Sequence, residues 1–414
     1  MMVRRLASIL ISGLLTALPA GLAEAGQVEY FSTGVSNPTA GAYAGSIGFG
    51  VSNNGVAVGT TNLGQNEQAF TYTTGATTYA LGVQGRALSI SSDGTKASGY
   101  FSNGSTSGAM AWDTGTQSYT HLNTVLGFAI GSAISPNGLS VVGYGSNQMV
   151  SWNSNGTNTT LLGQVTGPSW QSPPANFGWA GAVSDTGLVG GTSGYSGQAT
   201  SNPRVAVIAN VGVANSTQQL GNGVLDSTIT NPYGKVLDIN TNGTFLVGES
   251  STKNLSDVVS HAFLVDRTIS DTLIDISLPL GFSQASARSV SDNIAVFGNQ
   301  PLIVGTSWNG TTAAPDYSNM SASIWVPGSG ALLLSDYATS AWGITFAPGF
   351  KLITAYGIST SGQYITGSAL DSLGNQVGYI LTTNVPEPAS VISLGLGIAL
   401  AAFARSRSRK RRAE

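Results

Sequence analysis

Apolar and polar positions in this chain follow a recurring phrase rather than a helical period. The phrase is an aliphatic residue, Ser or Asn, a short turn usually ending in Gly, a β-rich stretch, and a closing Gly. It appears as Val51-Ser52-Asn53-Asn54-Gly55 running to Gly59, and as Ile90-Ser91-Ser92-Asp93-Gly94 running to Gly99. It returns at Ile134-Ser135 (to Gly143), Val183-Ser184 (to Gly190), Ile239-Asn240 (to Gly248) and Ile358-Ser359 (to Gly367). A seventh copy, Val290-Ser291-Asp292-Asn293, reaches Gly305 through an insertion. Each phrase predicts a strand, a tight turn and a second strand, because Asn-Gly and Asp-Gly supply the positive φ angles such turns need. A second apolar run follows each copy, such as Ala109-Met110-Ala111-Trp112 or His261-Ala262-Phe263-Leu264, and a Leu-Gly step often closes the unit.

Four strands repeated every 40 to 62 residues, without helix signals, predict an all-β fold: a β-propeller of seven four-stranded blades. A solenoid would need shorter and more uniform repeats. The last unit stops at Thr382-Thr383-Asn384, with no room for a fourth strand. The strand-like run Gln27 to Phe31 is therefore expected to complete it and to hide the open edges of the ring.

Both ends read as processing segments. Arg4-Arg5, the apolar run Leu6–Leu18 and Ala23-Glu24-Ala25 make a signal peptide over residues 1–25, cut after Ala25 by a signal peptidase after passage through the Sec machinery. The repeat body spans residues 26–384. Residues 385–414 hold Val385-Pro386-Glu387-Pro388-Ala389-Ser390, an apolar stretch over 391–404 and a basic tail over 405–414. The apolar stretch is short for a bilayer, and its basic end stays cytoplasmic by the positive-inside rule. A transient membrane hold follows.

This tail resembles the PEP-CTERM sorting signal of Gram-negative bacteria, with Pro386, Glu387 and Pro388 as the signature. The resemblance implies an exosortase as partner and delivery to the cell surface or the exopolysaccharide matrix. The repeats resemble the HAF family of extracellular repeats: His261-Ala262-Phe263 carries the motif literally, and the Ile/Val-Ser/Asn phrase is its other half. That resemblance implies a propeller-like surface protein without established catalytic chemistry.

Composition narrows the chemistry. The chain has 414 residues, 55 Gly, no Cys and 8% charged residues. Thiolate zinc sites are excluded, and long solvated helices lack the charge they need. Without its ends, the body holds eight Lys/Arg against 16 Asp/Glu, near −8 rather than the overall −3. No basic patch exists for nucleic acid. His121 and His261 are isolated in sequence, no nucleophile elbow occurs, and no catalytic residue, metal site or cofactor is assigned. Asp93 and Asp185 fall in the repeated turns, where Asp caps its own backbone. Asp266, Asp271 and Asp275, and Asp226, Asp238 and Glu249, are close enough in sequence to be considered as calcium ligands, but no spaced calcium loop is present. The later, longer repeats carry aromatic residues outside the core phrases. Trp170, Phe177, Trp179, Trp308 and Trp342 are the candidate ligand-binding set, because flat rings with polar handles suit sugar faces. The expected role is a non-enzymatic surface or matrix protein, able to bind exopolysaccharide through aromatic loops. The alternative is a polysaccharide hydrolase or lyase on the same scaffold.

Overall fold

The structure is a computed structural model. It describes residues 26–31, 45–61, 67–73, 76–102, 107–122, 128–165, 177–194, 204–229, 232–254, 257–292, 294, 297–311 and 315–383. The signal peptide and the sorting segment lie outside the described residues, and with them Ala23, Ala25 and Val385 to Pro388.

The fold is all-β. The strands in chain order are β1 (Gln27–Tyr30), β2 (Ser46–Val51), β3 (Ala57–Thr61), β4 (Gln68–Thr73), β5 (Ala76–Ile90), β6 (Lys96–Ser102), β7 (Ser107–Asp113) and β8 (Ser118–His121). Next come β9 (Ala129–Ile134), β10 (Ser140–Gly145), β11 (Gln148–Asn153), β12 (Thr160–Gly163), β13 (Gly178–Val183), β14 (Leu188–Gly194), β15 (Arg204–Asn210) and β16 (Gln218–Gln219). Then follow β17 (Gly234–Ile239), β18 (Phe245–Asn254), β19 (Asp257–Asp266), β20 (Ile274–Asp275), β21 (Gln284–Val290), β22 (Ile303–Gly310), β23 (Pro315–Val326) and β24 (Gly330–Leu333). Helix α1 (Leu334–Trp342) precedes β25 (Lys351–Ile358), β26 (Tyr364–Leu370) and β27 (Gln376–Thr382).

Each repeat phrase forms the first two strands of a unit, and each following apolar run forms the third. Sheets β9–β12, β13–β16, β17–β20 and β21–β24 are four-stranded antiparallel meanders. The first two units differ from the expected pattern by sharing a strand. β5 pairs with β4 through its first part and with β6 over Gln84–Ile90, so β2 to β8 form one seven-stranded sheet. The last sheet has the order β1-β27-β26-β25, with Gln27 opposite Thr382 and Tyr30 opposite Tyr379. The N-terminal strand thus supplies the fourth strand of the C-terminal unit.

The core lies between sheets rather than inside one. Ala133 and Val142 of one unit pack on Ala180 and Val189 of the next. Phe245 and Ala262 pack on Ala285 and Trp325. The first and last units meet in the same way, where Phe31 and Ile380 pack on Val51, Phe70 and Tyr72. Strands of the central units therefore bury both faces, one toward each neighbouring sheet, which explains near-continuous apolar runs such as Val205 to Ala209.

Helix α1 is an addition that the repeat phrases do not signal. Leu334, Ala338 and Trp342 recur every fourth residue and bury one face. Gly343 ends the helix at φ 67 in the left-handed region.

Candidate functional site

A defect that recurs in every unit builds the wall of one cavity. In each unit the first strand carries an extra residue relative to the second, and β25 carries two. Ile353 is the second in β25. The corresponding extra residues of the seven units are Phe49, Leu88, Ser132, Gly181, Leu237, Arg288 and Tyr356. A β-bulge re-aims the side chain it contains. All seven of these residues line one cavity of about 130 Å³. Arg288 is the single charged residue among the seven.

The closing glycines face these bulges. A Cβ on Gly143 would lie 1.9 Å from the Ile130 carbonyl oxygen, and one on Gly248 would lie 1.9 Å from that of Lys235. The corresponding glycine in the fourth unit is Gly191, where a Cβ would meet the Trp179 oxygen at 2.1 Å. Gly191, rather than Gly190, therefore ends the fourth phrase, which then has the same length as the first.

The Ser or Asn of each phrase is buried and holds its hairpin together. Its side-chain oxygen accepts a hydrogen bond from the first backbone N–H after the turn, at 3.0 Å in Ser91 and Ser135 and 2.9 Å in Asn240. The turns then join one another. Backbone N–H groups of Asn53 and Ser92 donate to the carbonyls of Ser92 and Pro136. Asn137 N–H donates to the Asp185 carboxylate at 2.8 Å, and Asp185 N–H to the Thr241 carbonyl at 2.9 Å. Thr241 N–H donates to Asp292, Asp292 N–H to Thr360, and Ser361 N–H to the Asn53 side chain. Burial raises the carboxyl pKa of both Asp185 and Asp292. Asp238 faces the cavity and accepts from Ser289 Oγ at 2.6 Å and Val290 N–H at 2.9 Å. Burial pushes its pKa up to about 6.

A second cleft, of about 220 Å³, opens at the far end of the same hairpins. Tyr233, Glu249, Gln284, Arg288, Trp308 and Tyr356 line it, with hydroxyls from Ser251, Ser260 and Thr306. Arg288 and Tyr356 face both spaces. Glu249 pairs across the strands with Lys235, and Tyr233 donates its hydroxyl to Glu249 at 2.9 Å. Burial alone would raise the Glu249 carboxyl, but Arg288 and Lys235 hold it below its ordinary value. Burial lowers Lys235 to about 8, partly offset by Glu249, and its ammonium sits 3.6 Å from the Trp179 ring centre. Arg204 covers Phe177 at 4.1 Å. Four side-chain atoms around the cleft are buried without a hydrogen-bond partner: Ser260 Oγ, Gln284 Nε2, Arg288 Nε and Thr306 Oγ1.

The candidate aromatics separate. Trp308 lines the cleft, while Trp179 and Phe177 flank it under their cations. Trp179 and Trp308 sit on β13 and β22, and Phe177 directly precedes β13, so these three belong to the sheet framework rather than to long loops. Trp342, the last residue of α1, is 4% exposed in the core, with its ring edge-on to Tyr337. Trp170 lies outside the described residues. Of the carboxylates considered above, Asp238 and Glu249 face these spaces. Asp226 and Asp266 cap turns, Asp271 pairs with Arg267, and Asp275 lies 2.6 Å from His261. His121 rests edge-on against Phe101. Among the described residues no group of three or more His, Asp or Glu could hold a metal ion, and no helix is long and apolar enough to cross a membrane. Sequence reasoning missed Lys235, Gln284 and Arg288, which lie on strands up to 53 positions apart, and it considered Glu249 only as a calcium ligand. The available signal was the scarcity of basic residues, three of which interrupt otherwise apolar or small strand sequences.

Residues 384–410 match the PEP-CTERM protein-sorting motif. The motif marks an exosortase substrate and implies export to a cell-surface or extracellular location. No curated protein matches the sequence. Among solved structures, the chain is similar to an oligogalacturonate lyase from Vibrio parahaemolyticus, at 11% identity and a TM-score of 0.47, over 87% of this chain and 97% of that one. It is also similar to TolB from Acinetobacter baumannii, at 10% identity and a TM-score of 0.39, over 84% of this chain and 66% of that one. Likeness at this level carries no activity from one protein to the other.

Proposed function

We propose that this chain is an exported, exosortase-processed surface or matrix protein that binds a glycan, without catalysis, in the cleft around Arg288. Its scaffold is a closed seven-bladed propeller of HAF-type repeats. Among the described residues, seven buried clusters, each spanning two successive units, support closure, because an open row of seven units has six internal interfaces. So does the run of turn-to-turn hydrogen bonds that leads from Asn53 back to Asn53. The observation that carries the binding role is the set of four unpartnered polar atoms around the cleft. A buried donor or acceptor left unsatisfied costs about 1–3 kcal/mol, and ligand hydroxyls reaching these atoms would recover that cost. Trp308 and Tyr356 add apolar ring area beside them. A binding role suits the carboxylates too. Among the described residues lining the cleft, Glu249 is the single acid, whereas a glycosidase generally uses two.

Titration calorimetry on protein recovered from its producing cells tests this reading. Saturable binding of at least one polysaccharide is expected, weakened about tenfold, or about 1.4 kcal/mol, by Gln284→Ala in a variant that melts like the parent. Absence of binding across neutral and acidic glycans would refute the binding role, and release of shortened or unsaturated sugar would refute the non-catalytic one.

A further inference from the structure

The body of this protein is acidic, yet three of its eight Lys or Arg, Arg204, Lys235 and Arg288, are gathered in one place. Arg204 and Arg288 both act electrostatically on Tyr233 and Lys235, and Lys235 stands opposite Glu249 of the cleft. Glu249 is the carboxylate set against them. None of the three forms an ion pair among the described residues, whereas Arg86, Lys96 and Arg267 all do. Arg204 and Lys235 instead rest on the faces of Phe177 and Trp179. An aromatic face steadies a cation while leaving its hydrogen-bond donors available. Arg288 stands on a bulge, faces both the cleft and the bulge-lined cavity, and keeps a buried Nε–H without a partner.

We infer that the cleft is specific for an acidic glycan and that Arg288 receives the carboxylate of a uronic acid residue. This rests on the glycan-binding reading above and adds the chemical class. The guanidinium offers parallel N–H donors in a plane, which fit the two oxygens of a planar carboxylate. Gln284 Nε2, Thr306 Oγ1 and Ser260 Oγ supply contacts for the ring hydroxyls. The cleft, about 220 Å³, falls below the roughly 300–1,000 Å³ of pockets that enclose drug-sized ligands. It therefore takes one sugar ring, with the rest of the chain outside. Arg204 and Lys235 provide the field that favours an anion over a neutral sugar in a protein that otherwise repels it.

The test is calorimetry with three probes: alginate oligosaccharides, which carry carboxylates, neutral dextran, and dextran sulfate. Alginate is expected to bind at least tenfold more tightly than dextran, with affinity falling as salt rises. Arg288→Gln should abolish that preference. Arg288→Lys, which keeps the charge and loses the planar fork, should lose most of it, and both variants should keep the parent melting temperature. Equal, salt-independent binding of alginate and dextran would overturn the acidic class while leaving glycan binding standing. Binding of dextran sulfate alone would overturn the carboxylate. Failure of all three would overturn the glycan reading itself. If Arg288→Gln proves unstable, Glu249→Gln replaces it. Removing the one negative charge should tighten alginate binding severalfold, and no change would count against the inference.

Discussion

One hydroxyl per hairpin explains the most regular feature of the sequence. Ser135 is buried with both hydrogen-bonding roles engaged: its oxygen accepts from Ser140 N–H, and it donates to Asn137 Oδ1 at 2.8 Å. Asn240 does the accepting with its amide oxygen, which is why Asn alternates with Ser at this position. The closing glycine has an equally local cause, because the bulge brings a backbone oxygen to where a Cβ would stand. Gly143→Ala should therefore cost about 3 kcal/mol, the upper part of the overpacking range. Gly115, whose added Cβ meets nothing closer than 3.5 Å, is the control, and Gly115→Ala should stay within about 0.5 kcal/mol of the parent. Urea unfolding of the two variants gives the comparison, and equal losses would show that the close approach does not constrain the chain.

At the scale of the hairpin, the phrase was legible because its turns and glycines are chemical requirements. The bulges were not, since an extra residue in a pairing register has no composition of its own; Phe, Leu, Ser, Gly, Arg and Tyr all occupy it. The continuous strand β5 was hidden for the same reason. The cleft was legible only in part: rings were sought in long loops, while the charged groups lie on strands and meet only after folding. Asp238 shows what register adds. It ties β17 to β21 by accepting from Ser289 and Val290, and its pKa rises to about 6. Between about pH 4 and 6 the unfolded chain ionises this group while the folded protein keeps it protonated. Folded protein then binds more protons, so this group's contribution to stability falls as pH rises through that window and is level above it. The full fall across the window is about 3 kcal/mol. Asp238→Asn should remove that slope, so its stability relative to the parent should be greater at pH 7 than at pH 4.5. Parallel urea midpoints at the two pH values would disprove the burial of this carboxylate.

At the scale of the whole molecule, the ends of the chain matter twice. The sorting segment was legible from order alone, with motif, apolar run and charge in sequence. The joint between the two ends of the body was legible from what the last unit lacks. Strand β1 fills that place and does more than add backbone bonds. Phe31, 1% exposed, packs on Phe70 and Tyr72 of the first sheet, with ring centres 5.5 and 4.4 Å away. Glu29 accepts from the Tyr72 hydroxyl at 3.0 Å, and Tyr30 lies 3.9 Å from Phe350. One short strand thus links the last sheet to the first. Truncating a buried Phe costs about 3–5 kcal/mol, so Phe31→Ala should lower the melting temperature sharply while leaving the oligomeric state of the parent unchanged. Deleting residues 26–31 should do both more and something different. It would uncover the backbone of β27, an edge rich in apolar residues, and such an edge recruits another strand. The truncated protein should therefore show concentration-dependent self-association beyond that of the parent in sedimentation, in addition to losing stability. A truncated protein that keeps the oligomeric state of the parent and melts like it would show that β1 is not the joint.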